Sequence, residues 1–278
     1  MIQRIIHKIR DTFFFEQTYP IYWKGNFPTW EAALQQARGY DDAQILEHIR
    51  KAATAVKEGK ALFERDGKLF YEPTYDYPLL TFLLKAALEN NGKLRVLDFG
   101  GSLGSTWFQH REMLQGLDIQ WYVVEQPHYV ALGQELFKDD KVLQFHYQVA
   151  DIPHKEALFV LASGVLQYIA DYQQLIGQLQ VLQPQYFFIH RTALYNANKD
   201  LITLQYVHTI ANDAIFPSWI FDRQRFLAQF TPDYCLLAEG KSLDNIAAKV
   251  EGLPRWFRNF CWFCLKKVVT YASACDDI

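Results

Sequence analysis

Between residues 94 and 104 the chain reads Leu-Arg-Val-Leu-Asp-Phe-Gly-Gly-Ser-Leu-Gly, an apolar run that breaks into three glycines within five positions. A short run without polar alternation is a strand covered on both faces. Glycines at its end let the backbone turn sharply and approach a ligand closely. Similar runs recur at 121–125, 143–147, 157–162 and 186–190, with helical rhythm at 127–138 and 171–181. Strands alternating with helices predict an α/β fold, a doubly wound and mostly parallel sheet. Residues 201–208 and 234–238 read as further strands, with a helix starting near Asp222 between them. They predict an antiparallel strand at the sheet edge.

Residues 1–90 read as mostly helical. Ile2, Ile5, Ile6 and Ile9 recur at helical spacing. Asp41 or Asp42 can cap a helix that carries Ile45, Ile49, Ala52, Ala53 and Val56 on one side. Tyr77-Pro78 opens another helix and Asn90-Asn91-Gly92 closes it.

A chain of 278 residues is long enough to bury about 75% of its unfolded surface, so it needs no disulfide or metal to fold. Net charge is −3, which argues against a general nucleic-acid binder. No apolar run reaches the roughly 18 residues that a membrane helix requires. The start, MIQRIIHKIRDTFFF, does not read as a secretory signal. Cys235, Cys261, Cys264 and Cys275 all lie late in the chain and form a poor disulfide framework, so a cytoplasmic location is expected. Cys261-x-x-Cys264 lacks the second ligand pair of a zinc site. It reads as two buried cysteines on one helical face, and no metal is expected.

The glycine turn carries the chemistry. A dinucleotide site wants G-x-G-x-x-G, and from Gly100 the later glycines would be Ser102 and Ser105. The alternative has an acid two residues before the first glycine and glycines two and four after it. Asp98, Gly100 and Gly104 fit, with Ser102 in the middle place. The segment 97–105 resembles the class I S-adenosylmethionine-dependent methyltransferases. Gly25-Asn26-Phe27 with Trp30-Glu31-Ala32, Gly39-Tyr40-Asp41, Glu64-Arg65-Asp66, Val124-Glu125-Gln126, Val165-Leu166-Gln167-Tyr168 and Arg191-Thr192 extend the resemblance. Together they are similar to a subgroup whose members often sit beside surface-polysaccharide biosynthesis genes.

The resemblance implies S-adenosylmethionine as cofactor and three parts to the chain. These are a helical N-terminal extension over 1–90, a Rossmann-like cofactor domain over 91–248 and a basic, aromatic C-terminal segment over 249–278. Asp98 would hold the ammonium. The backbone N–H groups of Gly100, Gly101, Ser102 and Gly104 would face the carboxylate. Glu125 suits the ribose hydroxyls, Gln126 and Pro127 flank the adenine, and Asp151 is a further candidate there. Ser163 follows the fourth strand beside the transferred methyl.

The acceptor belongs at the carboxyl ends of the strands. Gln167, Tyr168 and Trp219 are candidate acceptor contacts, with His208 and the aromatics of 71–77 walling the pocket. Arg191 suits an anionic acceptor, and His190 has the ordinary pKa of a general base. The implied activity is O-methylation of a small-molecule or carbohydrate acceptor, such as a surface-polysaccharide precursor. A non-catalytic binding or scaffold protein on the same fold is the alternative, followed by an NAD(P)-dependent oxidoreductase.

Residues 1–10 carry Arg4, Lys8 and Arg10 without an acid, and 249–267 carry a net +4 interleaved with Trp256, Phe257, Phe260, Trp262 and Phe263. That composition suits peripheral contact with an anionic inner-membrane surface. Terminal helices packed on the core with solvated charges are the competing reading.

Overall fold

A computed structural model of the chain describes residues 21–38, 42–153, 156–196, 198–208, 213–242 and 260–268. The Ile2–Ile9 pattern, Asp41, the basic residues of 1–10 and 249–258, and Cys275 lie outside the described residues.

In chain order the elements are β1 (Ile21–Phe27), α1 (Trp30–Leu34), α2 (Asp42–Lys57), β2 (Phe63–Arg65), β3 (Lys68–Phe70) and α3 (Tyr77–Glu89). Then come β4 (Lys93–Phe99), α4 (Ser105–His110), β5 (Asp118–Val124), α5 (Pro127–Leu136), β6 (Leu143–His146), β7 (Leu158–Ser163) and α6 (Tyr172–Val181). The last are β8 (Tyr186–Tyr195), β9 (Leu201–His208), β10 (Asp213–Asp222), α7 (Arg223–Ala228), β11 (Tyr234–Lys241) and β12 (Phe260–Lys267).

Strands β6, β5, β4, β7 and β8 lie side by side and parallel. β12 runs antiparallel along β8, and β11 pairs beyond it. The fold is the expected α/β architecture with a mostly parallel sheet. Consecutive residues of each central strand enter opposite cores. Val96, Trp121, Phe159 and Phe188 face one, with Leu79 and Leu83 of α3. Leu97, Tyr122, Val160 and Phe187 face the other, with Leu179 of α6 and Phe226 of α7. Burial on both faces is why these strands read as unbroken apolar runs.

The C-terminal end of β8 leaves this sheet. Leu194 and Tyr195 pair in parallel with Phe221 and Asp222 of β10. From there β10, β9 and β1 form an antiparallel wing. Trp23 Nε1 donates to Ser218 Oγ at 3.2 Å, fixing β1 to β10 in the buried wing core.

The sheet therefore crosses the expected division of the chain, because β1 and β12 come from outside 91–248. The N-terminal part is not wholly helical. Besides β1 it holds a β2–β3 hairpin whose turn residues, Asp66 and Gly67, have φ of +52° and +79°, as a two-residue hairpin turn with both central residues left-handed requires. The helical placement of Cys261 and Cys264 is also corrected: both sit on β12, whose register shifts between Cys261 and Phe263. No helix among the described residues is long and apolar enough to cross a membrane.

The parallel strands run outward from β4 in two directions, to β5 and β6 on one side and to β7 and β8 on the other. The chain reverses its winding between β4 and β7. Open α/β sheets take their ligands in the crevice beside such a reversal, at the carboxyl ends of the strands, which makes the ends of β4 and β7 the candidate place here.

Candidate functional site

The crevice is built from three strand ends. β4 ends at Phe99, which pairs with Ala162 of β7, and Ser163 pairs in turn with His190 of β8. Gly100, Gly101, Ser102, Gly104, Ser163 and His190 are thus brought to one edge by register alone.

The glycine turn is tight because the β7 loop leans on it. Gly100 has φ of +72°, and a Cβ there would lie 2.5 Å from Val165 Cγ2. A Cβ on Gly101 would lie 2.6 Å from Asp98 Cγ. Ser102 takes a left-handed φ of +53°, at a cost of roughly 1 kcal/mol or more for a residue with a Cβ. That conformation aims its backbone N–H at Glu125 Oε1, 3.3 Å away. Glu125 Oε2 accepts from Gln126 N at 2.7 Å. Glu125 thus staples the glycine turn to the end of β5. Burial raises its pKa, opposed by the two N–H donors.

Asp98 is 1% exposed and accepts from Trp121 Nε1 at 3.1 Å. Burial pushes its carboxyl up to about 7, the Trp121 hydrogen bond works against that, and the charge of Glu125 adds to it. Among the described residues neither Asp98 nor Glu125 forms an ion pair with Lys or Arg. Two acids held close in a desolvated place favour a cation between them.

On the other side of the crevice His190 Nδ1 lies 3.1 Å from Asp76 Oδ2, both side chains nearly buried. Arg191 stands at a left-handed φ of +53° and its Nη2 is 4.0 Å from Asp66 Oδ2 at the tip of the β2–β3 hairpin. Gln167 Nε2 donates to the Arg191 carbonyl at 3.1 Å. Gln167 is buried, and its Oε1 meets no donor among the described residues. Tyr168 Oη donates to Gln205 Oε1 at 2.8 Å, which ties the β7 loop to the wing.

Trp219 is placed apart. It stacks on Trp30 at 5.6 Å, donates from Nε1 to the Ile169 carbonyl, and lines a separate cavity of about 580 Å³ with Asp171, Lys199, Asp200 and Arg225. Asp151 accepts from Gln148 N in a local capping box and is exposed. Gln126 is exposed beside Pro127 at the start of α5.

Four residues of the crevice were not anticipated in this role: Glu64, Asp66, Asp76 and His110. Glu64 is buried against the start of α4, where Ser105 Oγ and Gly67 N donate to it, and burial raises its pKa. The Asp66-Gly67 pair between two apolar-flanked triplets was the available hairpin signal. Asp76 precedes Tyr77-Pro78 as the N-cap of α3, a signal for capping but not for a partner on β8.

No family model matches this chain and no curated protein matches it. Solved structures similar to it include an S-adenosylmethionine-bound amino pentose methyltransferase from Micromonospora echinaspora involved in calicheamicin biosynthesis, 7% identical, covering 69% of this chain and 92% of its own, with a TM-score of 0.45. A second is the N-terminal domain of EvdMO1 in the presence of SAH and D-fucose, 11% identical over 80% of this chain and 97% of its own, TM-score 0.44. A third is an S-adenosylmethionine-dependent methyltransferase from Aquifex aeolicus, 11% identical over 83% of this chain and 100% of its own, TM-score 0.45. Identity this low leaves the chemistry to be read from the chain's own residues.

Proposed function

We propose that this protein is an S-adenosylmethionine-dependent methyltransferase acting on a hydroxyl oxygen of a small-molecule or carbohydrate acceptor. The observation that supports this reading best is the pair Asp98 and Glu125, two desolvated acids at neighbouring strand ends around a glycine turn, without a basic partner among the described residues. A ligand with an ammonium and a sulfonium satisfies that demand. Glu125 would take the ribose hydroxyls, the N–H groups of the Gly100–Gly104 turn the carboxylate, and the exposed Gln126 the adenine edge. Bound there, the cofactor supplies a methyl group activated for in-line displacement.

The chain's contribution is alignment and desolvation. Holding the acceptor oxygen about 3–3.5 Å from the methyl carbon supplies roughly 7–11 kcal/mol of barrier reduction. Ser163, His190, Arg191 and Gln167 are the residues this reading assigns to hold it. The unpartnered Gln167 Oε1 suits a hydroxyl donor. Arg191 suits an anionic group on the acceptor, whose arrival would displace the loosely held Asp66. The sequence resemblance favours a surface-polysaccharide precursor. A membrane-surface role for the termini loses Phe260 and Phe263, which are buried in β12, and Lys266, which pairs with Glu89; what is left of it rests on the composition of residues outside the described ones.

The test is transfer of labelled methyl from S-adenosylmethionine to hydroxyl acceptors, sugar nucleotides first. Wild-type protein should label one acceptor as a stable ether, and Glu125→Ala should lose most of that label at sub-saturating donor. Donor binding without transfer to any acceptor or extract would favour the non-catalytic reading.

A further inference from the structure

We infer that Asp76 is a positioning residue that holds His190 as the proton acceptor of the site, a proposal that rests on the methyltransferase reading above. Asp76 comes from the N-terminus of α3 and His190 from the middle of β8, at the last residue that pairs with β7, so the contact joins two separate elements beside the end of β7.

Asp76 is fixed at three points. Its Oδ1 accepts from Leu79 N at 3.1 Å as the cap of α3. Its backbone N–H donates to His110 Nε2 at 3.1 Å, and His110 Nδ1 is 2.9 Å from the Thr106 carbonyl. The ring of His110 is completely buried, and burial lowers its pKa, so it stays neutral with its proton on Nδ1 and its lone pair on Nε2. That leaves Oδ2 of Asp76 to meet His190 Nδ1 at 3.1 Å. A carboxylate at Nδ1 selects the tautomer with the proton on that nitrogen and the lone pair on Nε2. It also stabilises the imidazolium that forms when Nε2 takes a proton.

The position of His190 gives this tautomer a use. His190 pairs with Ser163, and its carbonyl accepts from Gly164 N at 2.8 Å, so it sits beside the end of β7 and against the loop that packs on the glycine turn. An acceptor hydroxyl is protonated at neutral pH and must lose that proton to be methylated. In the step, the O–H bond breaks toward His190 Nε2 while an oxygen pair forms the bond to the methyl carbon. The carbon–sulfur pair returns to sulfur, leaving a neutral thioether. The proton then leaves the imidazolium for solvent. A helix cap and a strand histidine thus share one carboxylate, one oxygen each.

The experiment separates the two oxygens. Asp76→Ser keeps a capping oxygen on a shorter side chain that does not reach His190, whereas Asp76→Ala removes both contacts. Long-range nitrogen-15 spectra of donor-free protein, with the His190 signals assigned through His190→Gln, report the tautomer directly. Wild type should show the proton on Nδ1, and Asp76→Ser should show both nitrogens sharing it. In labelled-methyl assays Asp76→Ser should lower kcat about 10- to 100-fold, part of the 10²–10⁴ that a general base contributes, with KM changed less than about threefold. Asp76→Ala should match that kcat and melt lower.

A wild-type His190 protonated on Nε2, or an identical tautomer in Asp76→Ser, would overturn the inference, as would an unchanged kcat in that variant. If the tautomer behaves as expected and no acceptor is ever methylated, it is the transferase reading that fails.

Discussion

Replacing Asp98 with Asn should make the protein more stable and unable to hold its ligand. The carboxyl is buried and stands at about 7 instead of its ordinary 3.8, which corresponds to about 4 kcal/mol in favour of the neutral form at 1.36 kcal/mol per tenfold. The unfolded chain ionises this group near pH 4, and the folded chain near pH 7. Below about pH 4 both states carry the proton and the group costs nothing of this kind. As pH rises from about 4 to about 7 the unfolded state alone is ionised, and folding stability falls throughout that window. Above pH 7 the full cost is present. Asn carries no charge and its amide oxygen can still accept from Trp121 Nε1. Asp98→Asn should therefore gain about 2–4 kcal/mol at pH 8 and less than half of that at pH 5. For a chain of this size that is a rise in Tm of about 3–7 °C at pH 8. Urea denaturation at the two pH values reads it. A variant less stable than wild type at pH 8, or a gain that does not shrink at pH 5, would refute the burial argument. An acid kept at such a cost is what a functional site looks like when stability and activity compete.

Gly100→Ala should destabilise by about 1–3 kcal/mol, because a left-handed φ and a Cβ within 2.5 Å of Val165 Cγ2 both oppose it; a melting curve within 1 °C of wild type would contradict this. Leu83→Ala removes a side chain that is 0% exposed in the core under α3 and should cost about 2–5 kcal/mol in chemical denaturation. Among the three described cysteines, exposed Cys235 should alkylate first at pH 8, and Cys264, which burial pushes up to about 12, should resist. Peptide mapping after brief iodoacetamide treatment reads the order, and early labelling of Cys264 would place β12 outside the sheet core.

Sequence served best where chain-local physics decides the structure. β4, β5, β7 and β8 bury both faces, so their apolar runs announced a parallel sheet, and the glycine cluster announced the tight turn that ends β4. β12 was hidden by its own pattern. Cys261 and Cys264 stand at helical spacing, but β12 buries both faces, with Phe263 and Leu265 in one core and Trp262 and Cys264 in the other, so no alternation marked it as a strand. β10 carries Pro217 and begins at Asp213, both weak strand signals, and is held by pairing with β9 instead of by its own propensity. Asp98, Glu125 and Ser163 stood out in the sequence because each lies at or next to a strand end, and His190 because its run of apolar neighbours stops there, although β8 itself continues to Tyr195. Asp76, Glu64 and His110 were not, because their partners arrive from other elements and no local pattern records a contact that tertiary packing creates. Trp219 reads as an acceptor contact from sequence alone; in the fold it lies on the wing and lines a cavity with Asp171 and Asp200, a setting that its local sequence does not record.

Titration calorimetry of the purified, ligand-free protein with S-adenosylmethionine tests the central claim most directly. Wild type should bind with one site per chain, and Glu125→Ala should bind about 10- to 150-fold more weakly, the loss of 1.5–3 kcal/mol expected for a charged hydrogen-bond acceptor. No heat from the wild type, or equal affinity in the variant, would mean that the two acids at the β4 and β5 ends hold something else.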